Sequence, residues 1–213
     1  MRLSRIRLKR MVGLALTVGL AVVVTGCSQP AYRFIGSDDR DFVLRVPHTW
    51  TPLNTSDVLK AGGLDPATQV AWTAFYDASA KPGVDHLQTP TAADPVLVVA
   101  RIPLTKDQRA SITGDQLREA ILPLTPELRP QALAAHVFRV LENQTVAAKN
   151  ENGARIRYSY VVGGVPEIWD RIALIDPKLT AVHVITVHCT QACYTAHQAE
   201  ITDVVTSLTL KTP

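Results

Sequence analysis

Arg155-Ile156-Arg157-Tyr158-Ser159-Tyr160-Val161-Val162, then Gly163-Gly164, then the run from Glu167 to Ile175, reads as a β-hairpin. Ile156, Tyr158, Tyr160 and Val162 recur at every second position, the period of a strand with one face covered. Adjacent glycines supply the positive φ values that a tight hairpin turn needs. The run Glu167–Ile175 is then the return strand. Asp176-Pro177-Lys178 makes a further turn with Pro at its favoured place. Ala181-Val182-His183-Val184-Ile185-Thr186-Val187-His188 reads as the last strand. Strands joined by turns this short are antiparallel, because a parallel pair needs a crossover of a dozen or more residues.

Downstream, His197, Ile201, Val204, Val205 and Leu208 fall on one stripe of a helix from Tyr194 to Leu208. Upstream, Val137–Ala148 is extended. Thr113 is placed to cap a helix Asp115–Leu122, with Leu117 and Ile121 inward. Pro123, Pro126 and Pro130 break the chain beyond that helix. Val96–Ile102 (VLVVARI) is almost continuously apolar, which predicts a central strand covered on both faces. Ala78–Asp94 holds Pro82, Gly83 and Pro90 without apolar periodicity and reads as a long loop. Val70–Tyr76 predicts a strand, Asp57–Ala61 a single helical turn, and Asp41–Val46 a strand that ends at Pro47. No internal repeat is present. The pattern predicts an α+β domain, an antiparallel sheet flanked by helices, and excludes alternating βαβ units.

The N-terminus carries a separate message. Arg2, Arg5, Arg7, Lys9 and Arg10 precede any acid, and the uncharged run Met11–Val24 comes next. That run is shorter than the roughly 20 residues a spanning helix needs, and it suits the apolar segment of an export signal. Val24-Thr25-Gly26-Cys27 resembles the lipobox of bacterial lipoproteins. The resemblance implies cleavage after Gly26 and a diacylglyceryl group, with a palmitate-type acyl chain, on Cys27. Residues 1–26 are thus expected to be a signal peptide, 27–36 a lipidated tether and 37–213 the globular domain. The expected location is the extracytoplasmic face of the cell membrane, held by the lipid on Cys27.

Five of the 22 Lys and Arg lie in that leader, leaving 17 against 19 Asp and Glu, a net charge of −2. Nothing in that balance suits nucleic acid, and it gives no electrostatic attraction to anionic lipid. The remaining 187 residues suffice for one domain with a substantial core.

Export leaves Cys189 and Cys193 in a disulfide-permissive compartment. A spacing of four allows a disulfide if the segment is helical. Free thiols and a zinc site with His183, His188 and His197 are the alternatives. Against zinc, His183 and His188 differ by an odd number and face opposite sides of one strand. Asp38, Asp39 and Asp41 read as a solvated entry to the first strand, not a calcium loop. Tyr158, Tyr160 and Trp169 read as a sheet face against the terminal helix, with an apolar ligand groove as the alternative. Nucleophile-elbow, phosphate-loop and zinc-protease patterns are absent. No enzyme activity, cofactor or metal is expected.

Phe42-Val43-Leu44-Arg45-Val46-Pro47 with Trp50, Arg157-Tyr158-Ser159-Tyr160 through Gly163-Gly164, and Ala181–Val187 with the helix to Ser207 together look like the PsbP-like α/β/α sandwich. Among such proteins they resemble the actinobacterial LpqN/LpqT lipoproteins. The likeness covers most of residues 32–210 as an order of elements. It implies an accessory or binding role, since such proteins assist membrane complexes or partner proteins and some are tied to envelope biogenesis. It assigns no site residue, and Cys189/Cys193 is not part of the family pattern. Three functions arise as expectations. The first is a noncatalytic, membrane-tethered accessory domain for an envelope protein or lipid partner. The second is a carrier or sensor of an apolar envelope lipid, which requires an unfilled cavity of roughly 300–1,000 Å³. The third is an envelope hydrolase, which requires two of His136, His183, His188 and His197 to converge with a carboxylate.

Overall fold

The computed structural model describes residues 30–38, 41–68, 71–88, 93–123, 129–148 and 151–211. The leader, Cys27 and Asp39 lie outside the described residues.

The Gly163-Gly164 hairpin is the heart of the sheet. Strand β7 (Glu151–Val162) turns through these two glycines, at φ 59° and 85°, into β8 (Val165–Ile175). Asp176 makes the next turn by accepting hydrogen bonds from the backbone N–H of Thr180 at 2.8 Å and of Ala181 at 2.7 Å. The left-handed residue of that turn is Leu179, at φ 55°. The chain then enters β9 (Ala181–Thr190). With β3 (Thr51–Leu53), β4 (Trp72–Asp77), β5 (Val96–Pro103) and β6 (Phe138–Ala148), these form a seven-stranded sheet in the order β3-β4-β5-β9-β8-β7-β6. Every neighbouring pair is antiparallel. A three-stranded sheet joins β1 (Tyr32–Ile35), β2 (Phe42–Pro47) and β10 (Thr209–Leu210) in the order β1-β2-β10.

The pleat divides the core in two. On one face Leu97, Val99, Ile185 and Val187 meet Ile201, Val204 and Val205 of helix α6 (Gln191–Thr206) and Phe42, Leu44 and Val46 of β2. On the other face Ile156, Tyr158, Ala173 and Val182 meet Leu117 and Ile121. Leu117 belongs to α4 (Gly114–Ala120) and Ile121 is its C-cap. Thr113 caps α4 through a reciprocal pair: its hydroxyl accepts from the Gln116 N–H, and the Gln116 side chain accepts from the Thr113 N–H. Thr105 and Gln108 repeat this device at α3 (Lys106–Ser111).

Four expectations change. Tyr32–Ile35, read as tether, pair with Leu44–Pro47, so the folded part starts earlier in the chain. The expected loop Ala78–Asp94 contains α2 (Val84–Gln88), whose Val84 and Leu87 pack near Phe75 beside α1 (Thr55–Ala61). A helix this short shows too few apolar positions for a period to emerge. Further helices, α3 and α5 (Arg129–Ala134), also went unread for that reason. Lastly, β5 is fully covered only on its α6 face. Leu97 and Val99 are buried, while Val98 and Ala100 are half-buried and Ile102 is exposed.

Candidate functional site

The half-covered face of β5 is the floor of a groove. Cross-strand register sets Val98 beside Thr186, Ala100 beside Val184 and Ile102 beside Val182 of β9. These six side chains share the pleat face that turns away from α6. Ile112, Leu117 and Ile121 form a wall from the α3–α4 segment, with Leu104 at one end. The groove is partly open to solvent and has a volume of about 560 Å³. That falls within the usual range for a small-molecule site.

The groove has a structural cause. The seven-residue α4 is about 10 Å long at 1.5 Å per residue, and it lies over β7. Helix α1 lies over β4, at the other side of the sheet. Strands β5 and β9 run between them. The nearly continuous apolar run Val96–Ile102 therefore serves a core on one face and a lined recess on the other.

One cation closes the recess. Arg171 stands on β8 opposite Thr186 and lines the groove. Its Nε donates to Thr186 Oγ1 at 3.0 Å, and its Nη1 donates to the Ile121 carbonyl at 2.8 Å. Burial pushes the neighbouring Tyr158 phenol up, against the opposing pull of the Arg171 charge. Among the described residues no carboxylate pairs with Arg171.

The sequence-named residues are dispersed. Cys189 and Cys193 form a disulfide with Cα atoms 5.9 Å apart, joining the end of β9 to the first turn of α6. Their sulfurs are consumed by that bond, and the described residues contain no cluster of His, Cys, Asp and Glu suited to a metal. His183 is buried with its ring edge-on to Phe42, 5.1 Å between centroids. Its Nε2 lies 3.9 Å from Asp41 Oδ2. Neither ring nitrogen has a hydrogen-bond partner, and burial lowers its pKa. Asp41, read as solvated, instead accepts from Ser37 and Arg101. Burial pushes its carboxyl up, but those two donors outweigh that effect and the net shift is downward.

His188 faces the opposite way from His183. It stacks on Trp169, 3.9 Å between centroids, with Nδ1 3.6 Å from Glu167 Oε2. His197 pairs with Glu200 at 3.2 Å. His136 sits in a turn after α5, at φ 56°. These four histidines thus stand in four separate settings with different carboxylates or none. Tyr158, Tyr160 and Trp169 do share a face, but it is the face of α4 and Phe138, not of the terminal helix. They line neither α6 nor the groove. Arg171 and the recess escaped sequence reasoning. The available signal was the uninterrupted apolar run of β5, which fits a ligand-lined face as well as a covered one.

Helices and a small sheet on one side, a seven-stranded sheet between, and helices on the other make a PsbP-like α+β sandwich. The solution structure of cyanobacterial PsbP (CyanoP) from Synechocystis sp. PCC 6803 superposes with a TM-score of 0.54 at 8% identity, covering 89% of this chain and 99% of that one. LpqN of Mycobacterium tuberculosis, described as involved in cell envelope biogenesis, gives 0.48 at 13% identity over 85% of this chain and 91% of its own. The Ran-binding protein Mog1p of Saccharomyces cerevisiae gives 0.46 at 12% identity over 84% and 95%. The sequence matches no protein-family model and no curated protein. At these identities the likeness establishes the fold alone.

Proposed function

We propose that the protein is a noncatalytic, lipid-anchored binding domain of the bacterial cell envelope that holds the apolar part of an envelope molecule in the groove over β5 and β9. A place among LpqN/LpqT-type lipoproteins is part of this proposal. The observation that carries it is the recess of about 560 Å³ with mostly aliphatic walls. A plain accessory domain that docks a protein on its surface has no use for such a recess, and a solid core would have removed the lipid reading. The basic leader, the short apolar run and Val24-Thr25-Gly26-Cys27 support anchoring at Cys27. With β1 starting at Tyr32, five residue steps separate it from Cys27, a reach of about 17 Å at most. The domain thus stays near the membrane from which an apolar ligand would come. The dispersal of the histidines supports a noncatalytic role.

Nile red, an uncharged apolar dye, tests the reading. It is titrated into the chain from residue 27 carrying Cys27→Ser. Saturable binding that is lost in Ala100→Trp, where the indole fills the floor, is the expected result. Binding unaffected by Ala100→Trp would place the dye elsewhere and defeat the reading. In the full chain, Cys27→Ser should abolish incorporation of labelled palmitate into the protein.

A further inference from the structure

A purely aliphatic slot does not need a guanidinium at its closed end. The other arginines of the central sheet that lie in or near its interior have acids. Asp170 binds Arg155 through both Nε and Nη2, at 2.9 and 2.7 Å. Glu142 pairs with Arg157 at 2.9 Å, and Asp41 with Arg101. Arg171 differs from them. It is half-buried, it lines the groove, and its named partners, the Thr186 hydroxyl and the Ile121 carbonyl, are neutral. Two of its five N–H donors are thereby used, and the Tyr158 phenol draws on the same group. The donors that remain match one carboxylate, which takes two in parallel. A cation partly withdrawn from water without a counter-charge is costly, and a bound anion removes that cost.

We infer that the groove takes a single-chain amphiphile with an anionic head, a long-chain carboxylate, whose head meets Arg171 and whose tail runs along Ala100 and Val184 toward Ile102. This deepens the function proposed above and rests on it. The distances agree. From the row of Val98, Thr186 and Arg171 to the row of Ile102 and Val182 is four residues along the strand, or about 13 Å at ~3.3 Å per residue. The far end is open, with Ile102 exposed. A tail longer than the groove would therefore emerge into solvent or into the membrane.

The test compares dodecanoate, methyl dodecanoate and dodecyl phosphate by calorimetric titration into the chain from residue 27 with Cys27→Ser. Dodecanoate should bind about tenfold more tightly than its ester, the scale of one charge-assisted hydrogen-bonded contact. Arg171→Gln should bring the acid-to-ester affinity ratio down to about one. Arg171→Lys should keep part of the preference. Ala100→Trp should abolish both. Equal binding of acid and ester by the unaltered chain would overturn the head-group inference while the groove reading stands. Binding of neither would overturn both. Tight binding of dodecyl phosphate without dodecanoate would overturn the assignment of a carboxylate. Should Arg171→Gln fail to fold, the acid-to-ester ratio of the unaltered chain and of Arg171→Lys decides the matter.

Discussion

Arg171 ties the middle of the sheet to the end of a helix: its Nη1 donates to the Ile121 carbonyl, 2.8 Å away, just past the last turn of α4. A helix leaves its last four carbonyls without partners, and this one is met by a guanidinium from β8. The same side chain holds Thr186 of β9 through Nε. One residue thus fixes the helix that walls the groove to the two strands beside it. Arg171→Ala removes both bonds and leaves the Ile121 carbonyl unmet. The expected cost is about 1–3 kcal/mol, read from urea unfolding, with Arg171→Lys losing less. An unchanged midpoint would mean that the tie is not made in solution.

His183 gives the domain an acid limit of its own. Its pKa is lowered by burial, and the opposing pull of Asp41 does not offset that. A base with a depressed folded pKa contributes stability that is present above its unfolded value, about 6.5, and lost as pH falls through the folded one. Stability should therefore begin to decline below that value. Asp41, whose carboxyl is held low by Ser37 and Arg101 against the opposing effect of burial, adds a second decline only below about pH 4. Thermal melts of the unaltered chain and His183→Phe across this range check it. The variant should lose the upper phase and keep the lower one.

Arg155, Asp170 and Tyr194 form a buried network on the α6 side. Arg155 holds Asp170 at two points, and the Tyr194 hydroxyl donates to Asp170 Oδ2 at 2.8 Å. Removing one partner strands the other charge. Asp170→Ala should cost about 3–5 kcal/mol, measured by denaturant unfolding. Burial, reinforced by the Asp170 charge, pushes the Tyr194 phenol up to about 12. The stability this gives is full below its unfolded pKa of about 10 and is lost as pH rises through the folded one. Tyr194→Phe should flatten that alkaline decline, and an unaltered slope would remove Tyr194 from its cause.

The Cys189–Cys193 bond closes a small loop at the junction of β9 and α6. In the chain-entropy account such a loop is worth about 2 kcal/mol. Replacing both residues by Ala should lower stability by about that amount, with the added loss of two buried side chains. Unfolding with and without reductant separates the two effects. If the double variant were as stable as the parent, the bond would not be formed in the protein.

Strong local signals were legible in the sequence. The Gly163-Gly164 hairpin, the Thr113 cap and the terminal helix stand where periodicity and turn chemistry put them. Short elements were not. Helices α2, α3 and α5 span 5 or 6 residues each, less than two turns, so no stripe can build up. The groove was illegible for another reason. Val98, Ala100 and Ile102 carry the same side chains whether a helix or a ligand covers them. Only the placement of α1 over β4 and of α4 over β7 shows that this face of β5 is left half-covered. Arg171 likewise alternates correctly within β8, and nothing local marks it as the arginine whose acid is missing.

An apolar chain held in the recess over β5 and β9 would touch side chains of one sheet face only. Methyl NMR of the chain from residue 27 with Cys27→Ser, titrated with dodecanoate, tests it most directly. Saturable shifts are expected at Val98, Ala100, Ile102, Val182 and Val184, with Ile201 and Val205 across the sheet unmoved. Shifts concentrated on the α6 side, or none at saturating ligand, would contradict it.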